Sequence, residues 1–228
     1  MHTAFVLGAG LGERLRPLTD QLPKPLIPVF HKPLITYAFD HLMAAGVTSF
    51  VVNTHHLPQA YAQTFPDGSY RDAPIAFRHE APVRLETAGG IVKALPLLGS
   101  EAFAVVSGDI WTDYDFRRLQ PVDGRTTLAR LVMVDNPPHH PQGDFVLDYA
   151  GRLRLRVADE AVRGCTYSGI SVMHPALFAG LTEEPLPLRP VLDKAIAAGQ
   201  VAGEQFGGRW FDIGTPERLQ ELDALLRQ

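Results

Sequence analysis

Apolar residues in this chain fall in short runs and one-sided stripes, separated by glycine, proline and charge. The run Ala4 to Leu7 has the length of a buried strand and stops at Gly8. From Pro33 to Ala45 (PLITYAFDHLMAA) the period changes. Leu34, Ile35, Ala38, Leu42 and Ala45 share one helical face, Pro33 suits a first turn, and Gly46 suits a stop. Thr48 to Asn53 (TSFVVN) is again strand-like, so the chain opens strand, loop, helix, strand, the way a parallel sheet begins. A short helix near Leu57 to Phe65 and a strand over Ile75–His79 follow. Phe103 to Asp109 (FAVVSGD) and Thr126 to Val134 read as strands, with Ile110 to Phe116 as a surface turn after the first. Beyond them lie a hairpin from Phe145 to Val157 broken at Gly151, and a strand from Cys165 to Met173 interrupted at Ser168-Gly169. A helix from Leu188 to Ala198, a strand over Val201–Phe206 and a last helix from Pro216 through Leu225, capped by Thr215, close the chain.

Composition narrows the field. A chain of 228 residues suits one large α/β domain, or at most two small ones. No apolar run approaches the roughly 20 residues of a membrane span, so no membrane partner is expected. With 21 basic against 25 acidic residues, and the basic ones scattered, nucleic acid is not an expected partner either. Arg152, Arg154 and Arg156 alternate as one solvated strand face would. The lone Cys165 and the absence of a charged leader point to a reducing, cytoplasmic compartment.

The chemistry concentrates between Phe5 and Val29 (FVLGAGLGERLRPLTDQLPKPLIPV). A strand ending in small residues leaves backbone N–H groups free to approach a phosphate, and Arg14 and Lys24 can add charge on the same anion. The dinucleotide fingerprint would need glycine at position 13, where Glu13 stands; the P-loop would need Gly-Lys-Ser/Thr, but Gly12 precedes Glu13-Arg14. What fits is a double pattern, Gly10-Leu11-Gly12-Glu13-Arg14-Leu15-Arg16-Pro17-Leu18-Thr19 followed by Pro23-Lys24-Pro25-Leu26-Ile27-Pro28-Val29. It resembles the signature of the sugar-1-phosphate nucleotidylyltransferases, which make nucleoside-diphosphate sugars.

That resemblance runs the length of the chain. It implies a single Rossmann-like, three-layer α/β/α domain with a mixed, mainly parallel central sheet. Residues up to about 120 would hold the nucleotide and residues 121–228 the sugar. Leu7, Gly8, Ala9, Gly10, Gly12, Glu13, Arg14 and Lys24 would then hold the triphosphate, with Ser107 near the nucleotide. In HEAPVRLETAGGIVK (His79 to Lys93), Glu80 and the loop at Thr87, Ala88 and Gly89 would read the base edge, with Glu86 where many relatives have glycine. Asp109 ends its strand where open α/β sheets bind ligands, and the resemblance makes it a Mg²⁺ ligand. Arg14, Lys24 and Asp109 are the implied catalytic set. Trp210-Phe211-Asp212-Ile213-Gly214-Thr215 matches the family's W-x-D-x-G-T, whose aspartate is the second metal ligand. Gly143 and Asp144 would meet the sugar, and Ser168-Gly169 stands where the family commonly has N-A-G. The paired His139 and His140 lack a nearby third ligand for a metal. The family's E-K-P motif, whose lysine meets the sugar phosphate, has no match between Gly143 and Cys165.

The segments WTDYDF, VDNPPHH and SGISVMHPALF resemble the short uridylyltransferases of cell-wall recycling within that family. UTP and N-acetylmuramate 1-phosphate are therefore the favoured substrates, with the enzyme acting as a monomer or homodimer. Two alternatives stay open. A mannose or heptose 1-phosphate guanylyltransferase suits Glu80, since guanine offers two adjacent donors to a carboxylate. A non-catalytic sugar-nucleotide binding subunit would not need both Asp109 and Asp212.

Overall fold

The computed structural model describes residues 1–157 and 163–227. The apolar opening forms β1 (Thr3–Leu7), followed by three short 3-10 turns, the small pair β2 (Pro28–Val29) and β3 (Lys32–Pro33), and helix α1 (Ile35–Ala44). Then come β4 (Ser49–Thr54), α2 (Pro58–Thr64), β5 (Ser69–Tyr70), β6 (Ala73–His79), α3 (Glu86–Leu98) and β7 (Phe103–Ser107). The rest is β8 (Ile110–Thr112), β9 (Ala129–Val134), the hairpin β10 (Val146–Leu147) and β11 (Leu153–Arg154), β12 (Thr166–Met173), α4 (Leu188–Ala197), β13 (Val201–Phe206), β14 (Trp210–Asp212) and α5 (Pro216–Leu226).

One eight-stranded sheet carries the architecture, in the order β13-β9-β12-β7-β1-β4-β6-β5. β7, β1, β4 and β6 run parallel, as do β9 and β13, while β12 is antiparallel to both of its neighbours. The sheet is therefore mixed and mainly parallel. Its strands are apolar on both faces, and the period of two deals their side chains to opposite sides. Ala4, Val6, Val52, Ala104 and Val106 pack under α1 and α2. Phe5, Val51, Phe103 and Val105 pack under α3 and α4. Three layers result. No helix among the described residues is long and apolar enough to cross a membrane.

A third cluster does a different job. Leu15, Ile27, Val29, Leu34, Ile213 and Leu222 pack together, all buried. They tie the segment after the glycine loop to the segment around Asp212 and to α5, whose first turn is capped by Thr215 as expected.

Several sequence expectations need correction. Ile110 to Phe116 is not a surface turn: β8 pairs antiparallel with β14, and Tyr114 and Phe116 are buried. Ser168-Gly169 does not break its strand, because β12 absorbs Gly169 (φ 81°) as an irregularity of register. β9 begins at Ala129, since the Asp123 carboxylate accepts from the amides of residues 125–127 and winds them into a turn. Thr87 to Gly89 is the first turn of α3 rather than a loop.

That turn is packed without slack. A Cβ on Gly89 would stand 2.1 Å from the carbonyl oxygen of Glu184. Alanine raises helix propensity by about 1 kcal/mol over glycine, but forced overpacking costs about 1–3 kcal/mol. Gly89→Ala should therefore lower the urea midpoint. A higher midpoint would show that the segment at Glu184 does not press on α3.

Candidate active site

The carboxyl ends of β1, β4 and β7 open onto a cleft with two parts. The narrow part, of about 180 Å³, is bordered by Leu7, Ala9, Gly10, Lys24, Ser107 and Asp109, together with Asn53, Glu80, Arg84, Glu86 and Thr87. The wide part, of about 570 Å³, shares Leu7, Thr87, Ser107 and Asp109 and adds Arg14, Asp144, Tyr167, Ser168, Gly169 and Asp212. The position matches the rule that open α/β sheets bind ligands beyond the carboxyl ends of their strands.

A buried chain of hydrogen bonds shapes the narrow part. Gly8 N donates to Asn53 Oδ1 (2.8 Å), Asn53 Nδ2 donates to Glu80 Oε1 (2.8 Å), and Leu85 N donates to Glu80 Oε2 (2.8 Å). Tyr61 Oη donates to Gly8 O (2.7 Å), and burial pushes the Tyr61 hydroxyl far above its ordinary pKa, so it stays protonated. Asn53 and Glu80 are 2% and 0% exposed. The amides of Ala88 and Gly89 both donate to Leu186 O. Of the backbone groups expected to meet a ligand, those of Gly8, Ala88 and Gly89 are thus already engaged. Ala9 and Gly10 remain at the cleft, and no heavy atom lies within 4 Å of where a Cβ of Gly10 would be. Glu80 borders the narrow part, and each of its oxygens accepts one hydrogen bond from the protein, so it braces Asn53 and the turn at Leu85. Glu86 takes φ 60°, a conformation glycine adopts without strain, and pairs with Arg84 at the rim.

Gly12 and Glu13 stand outside both parts of the cleft. Gly12 (φ 66°) makes the tight turn, its carbonyl accepting from Thr19 Oγ1 at 2.9 Å, and a Cβ there would press within 2.7 Å of Thr19 Cγ2. The turn leaves Leu15 buried and sends Arg14 into the wide part, where it lies against Gly214. Among the described residues Arg14 pairs with no carboxylate. Lys24, held between Pro23 and Pro25, meets Asp109 Oδ2 at 2.5 Å.

Asp212 comes to the same edge through β14. It pairs in register with Ile110, and Ile213 N donates to Asp109 O at 3.0 Å. Its carboxylate accepts from Arg218 Nη1 (2.7 Å), and His139 Nε2 stands 3.4 Å from its other oxygen. Among the described residues no group of three or more His, Cys, Asp or Glu could hold a metal ion alone. Magnesium needs no such cage, since one or two carboxylates completed by substrate phosphates and water suffice. Asp109 and Asp212 fit that description.

The far wall of the wide part is polar. Asp144 Oδ2 accepts from Tyr167 N (2.8 Å) and Oδ1 stands 3.2 Å from His140 Nε2. Ser168 is buried, its carbonyl accepting from Trp210 Nε1 (2.9 Å), and Gly169 lies against Ser107. Gly143 does not border the cleft. It supplies a turn (φ 67°) where a Cβ would meet Asn136 Oδ1 at 2.5 Å. His55 and His56 diverge, to Glu80 O and Thr19 O respectively. Sequence reasoning missed Asn53, Arg84, Tyr167 and Arg218. The offset of Arg218 from Asp212, one helical turn past a W-x-D-x-G-T match, was a signal for the last of these; Asn53 gave none.

A mainly parallel sheet whose carboxyl edge gathers a glycine turn, a proline-flanked lysine and two aspartates defines a class. The nucleotidyl transferase family model matches residues 3–145, and the chain belongs to that family. Within it the chain is a sugar-1-phosphate nucleotidyltransferase. It is 41% identical to the N-acetylmuramate alpha-1-phosphate uridylyltransferase of Neisseria meningitidis serogroup B, over 97% of each chain. It is 31% identical to the enzyme of that name from Caulobacter vibrioides, over 99% of this chain and 97% of that one. The fold superposes on the inositol-1-phosphate CTP transferase of T. maritima with a TM-score of 0.80 at 21% identity, covering 100% of this chain and 97% of that one.

The buried chain of hydrogen bonds carries a stability prediction. Asn53→Ala leaves Gly8 N and Glu80 Oε1, both buried, without their protein partners. A loss of about 2–4 kcal/mol is expected, from two unsatisfied buried groups, one of them on a carboxylate. Urea unfolding reads it directly; a loss below 1 kcal/mol, within the ordinary range of surface substitutions, would show that the network does not hold the strand ends.

Proposed function

We propose that the chain transfers a uridylyl group from UTP to N-acetylmuramate 1-phosphate, forming the UDP-sugar and pyrophosphate for cell-wall recycling. The choice of substrates is carried by one observation, the 41% identity to a uridylyltransferase of that specificity over 97% of the chain. The residues up to about 120 hold the nucleotide and residues 121–228 the sugar, across the shared wall at Ser107 and Asp109. The reaction belongs to the cytoplasm, where UTP is available and the lone Cys165 stays reduced.

The chemistry requires little covalent participation by the protein. The sugar phosphate brings its own oxyanion, which attacks the α-phosphorus. The new P–O bond forms as the bond to the bridging oxygen breaks, and pyrophosphate leaves with that electron pair. The obstacle is bringing an anion to an anion, so positioning and charge neutralisation are the catalytic work. Lys24 and Arg14 approach from two sides, one from the narrow part and one from the wide. Magnesium held by Asp109 and Asp212 would supply further positive charge at the phosphates. Asp144 accepts from sugar hydroxyls. Cys165 lies outside both parts of the cleft, and burial raises its thiol pKa, which leaves it a poor nucleophile. Against a guanylyl specificity weighs that each Glu80 oxygen already accepts one hydrogen bond, from Asn53 and from Leu85.

A matrix of nucleoside triphosphates against sugar 1-phosphates, read by pyrophosphate release, tests the substrates. UTP with N-acetylmuramate 1-phosphate should give the highest kcat/KM; GTP with mannose 1-phosphate turning over better would overturn the choice. On the preferred pair, Lys24→Ala and Arg14→Ala should each lower kcat by about 10²–10³-fold, the usual effect of removing one preorganised charge-stabilising donor. Asp109→Asn and Asp212→Asn should raise the magnesium concentration needed for half-maximal rate. Near-normal turnover in any of these variants removes that residue from its role.

A further inference from the structure

The wide part of the cleft must receive a second phosphate, that of the sugar, beside two carboxylates that repel it. The lysines of the chain are Lys24, Lys32, Lys93 and Lys194. Lys32 is paired with Asp40 and Lys93 with Glu183, and of the four only Lys24 borders the cleft. The basic side chains around the wide part are Arg14, His139, His140 and Arg189. Arg14 reaches in from the glycine turn. Arg189 is committed elsewhere: its Nε meets Asp193 at 2.6 Å, and its guanidinium lies 4.5 Å over the Phe145 ring. His140 stands 3.2 Å from Asp144, the group expected at the sugar hydroxyls.

His139 differs from Arg189 and His140. It borders the cleft with its side chain 36% exposed and its Nε2 3.4 Å from Asp212 Oδ1. Among the described residues it makes no hydrogen bond. The loop that carries it is braced. Asn136 Nδ2 donates to Pro141 O and Gly164 O, Thr166 Oγ1 donates to Asn136 Oδ1, and His140 N donates to Pro137 O. An imidazole with a spare donor is thus held at the wall of the wide part, beside Asp212. We propose that His139 donates a hydrogen bond to the phosphate of the incoming sugar 1-phosphate, holding its attacking oxyanion beside Asp212. His140, one residue on, orients Asp144 toward the sugar ring, so the pair reads both ends of the same substrate. The inference rests on the transferase reading only in needing a sugar 1-phosphate, whichever sugar that is.

Initial rates with the best pair of substrates for the wild-type enzyme test it, measured for His139→Ala and His139→Gln. In His139→Ala the KM for the sugar 1-phosphate should rise about 10- to 100-fold, the usual range for one hydrogen bond to a charged group. The KM for the nucleotide and the magnesium concentration for half-maximal rate should stay within about twofold, and thermal unfolding should match wild type. His139→Gln, whose amide can place a donor near Nε2, should recover part of the loss. Because the phosphate is common to all such substrates, the fold-loss should be the same on a second sugar 1-phosphate. A His139→Ala variant with unchanged KM for the sugar 1-phosphate overturns the proposal. So does one in which the magnesium requirement shifts with it, since His139 would then act on Asp212. A wild-type enzyme that prefers another sugar or base overturns the substrate choice and leaves the His139 comparison intact on that pair.

Discussion

Two carboxylates repel one another, and Asp109 and Asp212 share one edge of the sheet only because backbone hydrogen bonds hold them there. β14 lies against β8, and Ile213 N closes on Asp109 O. A cluster of six buried apolar residues, Leu15 and Ile213 among them, locks that pairing to the segment after the glycine turn. Each carboxylate also faces a cation, Lys24 for Asp109 and Arg218 for Asp212. These pairs are partly exposed, so they contribute little to stability after solvent screening. Their consequence is local: two negative charges and two positive ones are held together at one edge of the cleft.

The same edge is shaped from behind by polar burial. Asn53 and Glu80 link the ends of β1, β4 and β6 without reaching solvent. Burying a carboxylate is costly unless both oxygens are bonded, as they are here. Gly90 makes room for it, since a Cβ there would come within 2.6 Å of Glu80 Oε1. The narrow part of the cleft is therefore backed by a hydrogen-bonded polar floor.

Much of this was legible in the residues. Strand and helix runs followed the two periods, and the glycine, lysine and aspartate motifs lay where a parallel sheet ends its strands. The pairing of β8 with β14 was not legible, because Ile110 to Thr112 is too short to announce a strand and its partner lies about a hundred residues on. Nor were the hydrogen-bond partners of Glu80, Ala88 and Gly89. A polar group at a strand end looks the same in sequence whether it faces a ligand or a neighbouring amide, and Leu186, which takes two of those amides, comes from far along the chain. Asn53 was hidden for the same reason, as the last residue but one of an ordinary buried strand. The paired histidines were visible but lacked meaning until the braced loop set one by Asp212 and the other by Asp144.

Charge neutralisation without a protein nucleophile is the claim on which the rest of the mechanism stands. Its most direct measurement is the stereochemical course at the α-phosphorus, using a single diastereomer of the α-thio analogue of the preferred nucleoside triphosphate. One in-line displacement by the sugar phosphate inverts the configuration at that phosphorus, and inversion is the predicted result. Net retention would mean two displacements through a nucleotidyl-enzyme intermediate, and would contradict the assignment of Arg14, Lys24, Asp109 and Asp212 as sufficient for the transfer.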